Sequence, residues 1–438
     1  MGEWIRAATL SASLGAFPDA LEDLEKALRL VRKDRDRPGA DARELEILLA
    51  MGPLSLAVHG YGSRNVEELY GRAYVLCREE GDSCPFPVLL GVCAAAFTRS
   101  GPAGARSFLE RLEQRAREGE SPESRRALAR IGAVRFFEGR LAEADQVLSE
   151  VVAHLTSPPD RVCEEGSLPP YAEDPAVSAL SYLSFTAQIA GRPGEALMYG
   201  QKAWGRVREI DHPYSAAFAA IFSTFLHLFR GERSRVAESA SRSLALSEKY
   251  GYLQWETMGR LALAWSRPDR SSALDARERV ARLREMVPGI MPIFVMALAE
   301  TALSARLPEM ALEELTKGQA EAQKSGTALF DPELLRLEGE AWLLLDPAGK
   351  RSQAEALFRK AREGAERAGL AWFALRAGLA LFALCPKEGD SLRCAVSRIS
   401  GDRGLPLVME VRRALFSGGA GTETAGEEEK TPFLEQSP

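Results

Sequence analysis

The chain has 438 residues, 46% of them hydrophobic and 27% charged, with a formal net charge of −6. Acids and bases are interspersed, which excludes the basic face of a nucleic-acid binder and the polybasic surface of a membrane-bound protein. No apolar run reaches the ~18 residues of a membrane span without polar interruption, and no secretory leader pattern is visible.

The first helix pair is written by Trp4, Ala7 and Ala8, then Gly15, then Phe17, Ala20, Leu24 and Ala27. Small residues mark where antiparallel helices touch, the glycine marks the reversal, and the large residues are knobs for the next pair. The same register recurs at Val66/Tyr70/Ala73, Ala105/Leu109/Leu112, Ala144/Leu148/Val151 and Ala196/Gly200/Ala203. It continues at Val236/Ala240/Ser243, Ala311/Leu315/Gly318 and Ala354/Phe358/Ala361, with a degenerate copy at Ala273 and Val280. A period of about 40 residues fits two helices of ~14–18 residues and two turns. Gly15, Gly139, Gly191, Gly231 and Gly349 stand five residues before the small residue, where a first helix must stop. Ser121-Pro122, Asp174-Pro175, Asp211-His212-Pro213 and Asp331-Pro332 read as helix starts, with a capping side chain ahead of a proline that has no N–H to lose.

Two interruptions break the period. Residues 34–40 form a polar loop around Pro38-Gly39, and residues 157–173 carry four prolines and Gly166, so they cannot be helix. The second is either a surface excursion or a segment folded over one face as part of a binding site. The repeat array spans 1–385, residues 386–416 read as capping helices, and the Gly/Glu/Thr-rich residues 417–438 read as a disordered tail.

Together these features resemble the tetratricopeptide repeat. More narrowly, residues 51–77, 173–197, 211–232, 330–344 and 354–381 resemble the repeat region at the C-terminal end of bacterial multidomain signalling proteins. In those proteins a cyclase, kinase or transcription-factor domain is coupled to an AAA-like (STAND) ATPase followed by such repeats. The resemblance implies an all-α fold, an α-solenoid of antiparallel hairpins in a superhelix of about nine to ten repeats. It also implies a non-catalytic, cytoplasmic scaffold or sensor that binds a protein or peptide in a bacterial signalling system. Two alternatives stay open: a regulatory segment acting on catalytic domains outside this chain, and a small-molecule receptor using residues 157–173 as a lid.

The motifs of the family's catalytic parts are not in the sequence. The nearest approach to a phosphate-binding loop is Gly349-Lys350, where Leu344 replaces the first glycine and Arg351 the hydroxyl residue. Cys77, Cys84, Cys93, Cys163, Cys385 and Cys394 include no C-x-x-C pair, and His59, His154, His212 and His227 include no i, i+4 pair. The sequence therefore predicts no enzyme, no cofactor, no metal and free thiols.

In tetratricopeptide arrays the first helices line the concave groove. Carried over, that makes Ser178, Ser181, Phe185 and Gln188 groove residues, with Ala129, Ala133 and Phe136 their counterparts one repeat earlier. Tyr214, Phe218, Phe222, Phe225 and Phe229 form one helical stripe, readable as core between repeats or as a ligand-facing wall. His227 reads as a satisfied packing residue.

Overall fold

The residues that open each copy of the register are the ones the fold hides most completely. Ala20, Val66, Ala105, Ala144, Ala196, Val236, Ala273, Ala311 and Ala354 are all at 0% exposure. Each begins the inner face of the second helix in a hairpin, where a side chain larger than valine would hold the two helices apart.

The structure is a computed structural model that describes residues 2–13, 16–79, 84–118, 122–153, 172–401 and 404–419; those residues form 20 α-helices and no strand. Nine hairpins follow one another. They are α1 (Gly2–Ser13) with α2 (Phe17–Lys33), α3 (Ala40–His59) with α4 (Arg64–Glu79), the two halves of α5 (Phe86–Arg117), and α6 (Pro122–Phe137) with α7 (Leu141–Ala153). Then come α8 (Pro175–Ile189) with α9 (Pro193–Ile210), α10 (Pro213–Phe229) with α11 (Arg233–Tyr250), and α12 (Leu253–Ser266) with α13 (Arg270–Met286). The last are α14 (Pro292–Ser304) with α15 (Pro308–Ser325) and α16 (Asp331–Leu345) with α17 (Arg351–Arg367). A tenth unit is completed by α18 (Ala371–Leu384), α19 (Gly389–Ser397) and α20 (Pro406–Gly419). The α5 hairpin turns on a single residue, Gly101, whose φ of 70° breaks an otherwise continuous helix just before Pro102. Residues 154–171 and 420–438, which hold most of the proline-rich excursion and of the expected tail, lie outside the described residues.

The punctuation works largely as the residues dictate. Asp174 accepts from Ala176 N–H and Val177 N–H, both at 3.0 Å, which fixes the start of α8. Gly191 ends the same helix at φ 86°, and the following Arg192 N–H returns to Ala187 O at 2.8 Å. Two signals differ from expectation. Asp211 does not start α10; it ends α9 in the left-handed conformation, φ 47°, and His212 stands at the N-cap of α10. Gly349 needs no left-handed turn: its N–H is held by Asp346 Oδ1 at 2.9 Å, and a Cβ there would lie 2.2 Å from the other Asp346 oxygen.

The superhelix closes on itself. Tyr61, between α3 and α4, gives its backbone N–H to Gln254 Oε1 on α12 at 3.0 Å. Trp372 on α18 donates its indole N–H to Phe229 O at the end of α10 (2.8 Å), and Ser400 N–H reaches Gly191 O at 2.8 Å. Between the turn after α13 and the α5 hairpin the backbones touch. A Cβ on Gly289 would stand 2.3 Å from Gly101 N and from Phe97 O, and one on Gly62 would stand 2.2 Å from Met286 O. Hairpins two and three thus meet hairpins seven and eight, while five and six meet the C-terminal helices. Residues 176–189 of α8 are all buried because the helix packs on α9 of its own hairpin, on α6, α7 and α10 of the neighbouring hairpins, and on α18.

Candidate functional site

The expected groove residues are brought together, and each is buried. Ala129, Ala133 and Phe136 on α6 and Ser178, Ser181, Phe185 and Gln188 on α8 are at most 6% exposed. Phe136 packs on Phe185 with ring centroids 5.9 Å apart. Gln188 Oε1 accepts from Arg230 Nη1 at 3.3 Å, while its amide nitrogen has no partner among the described residues. The α10 stripe joins them: Phe222 stacks on Phe185 at 4.7 Å and on Phe218 at 4.4 Å. His227 is held by Glu232, Nδ1 to Oε2 at 2.6 Å.

Cavities lie in this interior among the described residues, two of them next to the expected groove residues. One, of about 60 Å³, lies among Phe97, Phe185, Phe222, Trp255 and Phe294. The other, of about 70 Å³, is bounded by α3, α4, α5, α6 and the start of α8, with Ala129 and Ser178 on its wall. They share Tyr61, Arg130 and Glu173. Residues 172 and 173 are the described end of the proline-rich excursion, and both are buried. Tyr61 donates its hydroxyl to Glu173 Oε2, and Arg130 Nη2 lies 3.5 Å from Glu173 Oε1 with its guanidinium 5.5 Å from the Tyr61 ring centre. Burial and the adjacent Glu173 carboxylate push the Tyr61 phenol well above its ordinary pKa, so it stays a donor. Burial likewise pushes the Cys93 thiol up to about 12, leaving it unreactive.

A larger opening faces solvent in the C-terminal half. A cleft of about 610 Å³ runs across the ends of α12, α14, α16 and α18, which are the first helices of four successive units, and is closed on one side by α20. Leu303, Leu337 and Leu379 supply apolar wall, and Arg233 lies over the Trp265 ring at 4.7 Å. Its floor is an ion network drawn from separate helices. Arg336 holds Glu333 Oε1 at 2.7 Å and approaches Glu300 Oε1 at 3.5 Å, Arg376 holds Glu333 Oε1 at 2.9 Å, and Trp265 Nε1–H donates to Glu300 Oε2 at 2.6 Å. Burial alone would raise the Glu300 pKa, but Arg376 and Arg336 outweigh it and hold the carboxylate below its ordinary range. Sequence reasoning did not find this site. The readable signal was a lone charge in an apolar helix: Glu300 is the only charged residue of α14, and Arg376 the only one of α18.

Two further groups set a pH response. Burial would raise Glu232, but hydrogen bonds from His227 and Arg230 bring it down to about 2 from the ordinary 4.5. Burial lowers His212 to about 4 from 6.5, against the pull of Asp174. Both leave the folded chain binding fewer protons than the unfolded chain. The contribution of Glu232 is complete above pH 4.5 and lost toward pH 2, and that of His212 declines below pH 6.5. Burial raises Asp331 to about 6 from 3.8, which opposes His212 between pH 6.5 and 3.8, so the thermal midpoint is expected to fall chiefly below pH 4.5, and Glu232→Gln to flatten that slope in a pH series of melting curves.

Among the described residues no group of three or more His, Cys, Asp or Glu side chains is placed to hold a metal ion, and no helix is long and apolar enough to cross a membrane. No family model matches the chain, and no curated protein matches it in sequence. Solved structures of similar architecture include a Rap protein complexed with competence and sporulation factor, at 12% identity over 89% of this chain and 97% of that one, TM-score 0.47. A STAND ATPase with a tetratricopeptide repeat sensor from Pyrococcus horikoshii matches at 14% identity over 82% of this chain and 53% of that one, TM-score 0.36. Yeast Tom70 matches at 12% identity over 94% and 87%, TM-score 0.35. What these share with the chain is the all-α solenoid of helical hairpins.

Proposed function

We propose that the chain is a non-catalytic repeat scaffold that holds a segment of a partner protein in the cleft between α12 and α20. The observation that carries this reading is the lining of that cleft. Apolar wall from Leu303, Leu337 and Leu379 alternates with guanidiniums at Arg233 and Arg376 and carboxylates at Glu340 and Glu410. A polypeptide offers the matching chemistry, with side chains of both charges on an apolar and hydrogen-bonding backbone. The floor of the cleft is pre-formed, because its arginines are already held by Glu300 and Glu333, so binding orders few side chains. The reading extends the sequence resemblance: the scaffold serves a bacterial signalling system in the cytoplasm, as a sensor or as a regulatory segment acting on separate catalytic domains.

The test is affinity capture from native lysate with the unaltered chain and with Ser304→Arg plus Ala383→Arg. Both positions are exposed on the cleft wall, so the substitutions fill it without entering the core. A partner that depends on the cleft is expected to bind at least about tenfold more weakly to the variant, the scale of losing an interface centre. Capture of the same proteins in the same amounts by both forms, with unchanged helical content, would overturn the reading.

A further inference from the structure

We propose that the cavity beside Arg130 is a binding site for a small monocarboxylate, of the size of acetate or lactate. This site is separate from the C-terminal cleft and stands or falls without it.

The first observation is a set of donors without acceptors. The Tyr70 and Ser178 hydroxyls line the cavity, and neither has a hydrogen-bond partner among the described residues, although Tyr70 is 5% and Ser178 6% exposed. Arg130 engages Glu173 only at 3.5 Å, and its Nε–H is buried without a partner. On the acceptor side, Glu173 takes the Tyr61 hydroxyl on one oxygen and faces Arg130 with the other, and the second lining carboxylate, Glu123, is 41% exposed at the mouth and lies 3.8 Å from the Arg126 guanidinium. The buried Arg130 Nε–H without a partner is costly, and the two hydroxyls line the cavity with no acceptor from the chain, so the inner end of the cavity calls for an acceptor. A carboxylate brings acceptor capacity on two oxygens and no donor, and it is the natural partner of a guanidinium.

The second observation is that the fold clears space to put the Tyr70 ring there. A Cβ on Gly52 would lie 2.2 Å from the Tyr70 hydroxyl, and one on Gly91 would lie 1.9 Å from its ring. Two helices, α3 and α5, are therefore glycine where they flank a tyrosine whose hydroxyl serves no other residue.

Size and wall composition limit the ligand. A space of about 70 Å³ exceeds the ~10–15 Å³ a single water requires and falls well short of the ~150 Å³ cavity that admits benzene. Leu56, Leu90 and Ala94 on the wall suit a methyl group at the far end of the molecule from the carboxylate. Pro87, exposed, and Phe86, half-buried, bring the same lining to the protein surface.

The test is isothermal titration of the full chain with sodium acetate, propionate and lactate, with acetamide and sodium chloride as controls, alongside melting curves at the same concentrations. Saturable binding of at least one carboxylate is expected, with a concentration-dependent rise in melting temperature that acetamide and chloride do not produce. Tyr70→Phe keeps the ring and removes only the unpaired hydroxyl, so it is expected to fold normally and to weaken binding by roughly tenfold. Equal responses to acetate, acetamide and chloride would overturn the proposal, as would a crystal structure grown in acetate that shows only water between Tyr70 and Arg130. Full retention of carboxylate binding by the Tyr70→Phe variant would place any ligand elsewhere and overturn it too.

Discussion

Gly289→Ala is expected to lower the unfolding free energy by about 3 kcal/mol, the upper range for overpacking a site whose neighbours cannot yield. The added methyl would meet Gly101 N and Phe97 O at 2.3 Å, and both are backbone atoms of the α5 hairpin. Neither can swing away as a side-chain tip would. Thr327 Oγ1 also donates to Gly289 O at 2.9 Å, so the turn cannot move outward without losing that bond. Gly71 is the control: it lies within α4, a Cβ there meets nothing within 4 Å, and Gly71→Ala is expected to stabilise by about 0.5–1 kcal/mol through helix propensity alone. Urea unfolding followed by circular dichroism measures both. Equal tolerance of the two substitutions would mean that hairpins three and eight do not meet.

Arg336→Met is expected to cost about 3–5 kcal/mol, the loss seen when one member of a buried ion network leaves its partner uncompensated. Glu333 is at 0% exposure and Arg336 at 4%, so water does not replace the missing guanidinium. Arg376 alone would then face both Glu333 and Glu300. Adding Glu333→Gln to Arg336→Met removes the stranded charge and is expected to recover part of the loss, a coupling that a double-mutant cycle reads directly. A cost below about 1 kcal/mol, typical of exposed pairs, would show that the cleft floor is solvated.

The two substitutions probe features that differ in how far they could be read in the sequence. The hairpins were legible because each depends on residues close together in the chain: a turn glycine such as Gly191, a small residue such as Ala196 five places on, and apolar residues at helical spacing. The closure was not. Nothing local in the sequence sets Gly62, Gly101 and Gly289 apart, and what they accommodate is backbone from a hairpin five units away. One local clue pointed to it. An open solenoid needs first helices that are apolar on one face, whereas α8, α10 and α14 are apolar nearly all round, which demands burial on every side. The groove residues taken from α6 and α8 belong to the part of the superhelix that closure fills. The charged cleft is not legible in the sequence because Trp265, Glu300, Arg336 and Arg376 come from four successive units, and only the superhelical path unites them.

The most direct measurement of this closed architecture is a designed cross-link. An ideal Cβ at Gly326 lies 3.5 Å from the Cβ of Ala103, at the short end of the ~3.5–4.5 Å span of a disulfide, and both positions are exposed. Ala103→Cys with Gly326→Cys, mildly oxidised in the folded protein and mapped by mass spectrometry, is expected to give one dominant peptide joining the turn of α5 to the end of α15. If both introduced thiols stay free while the protein remains helical, hairpins three and eight are apart and the superhelix is open.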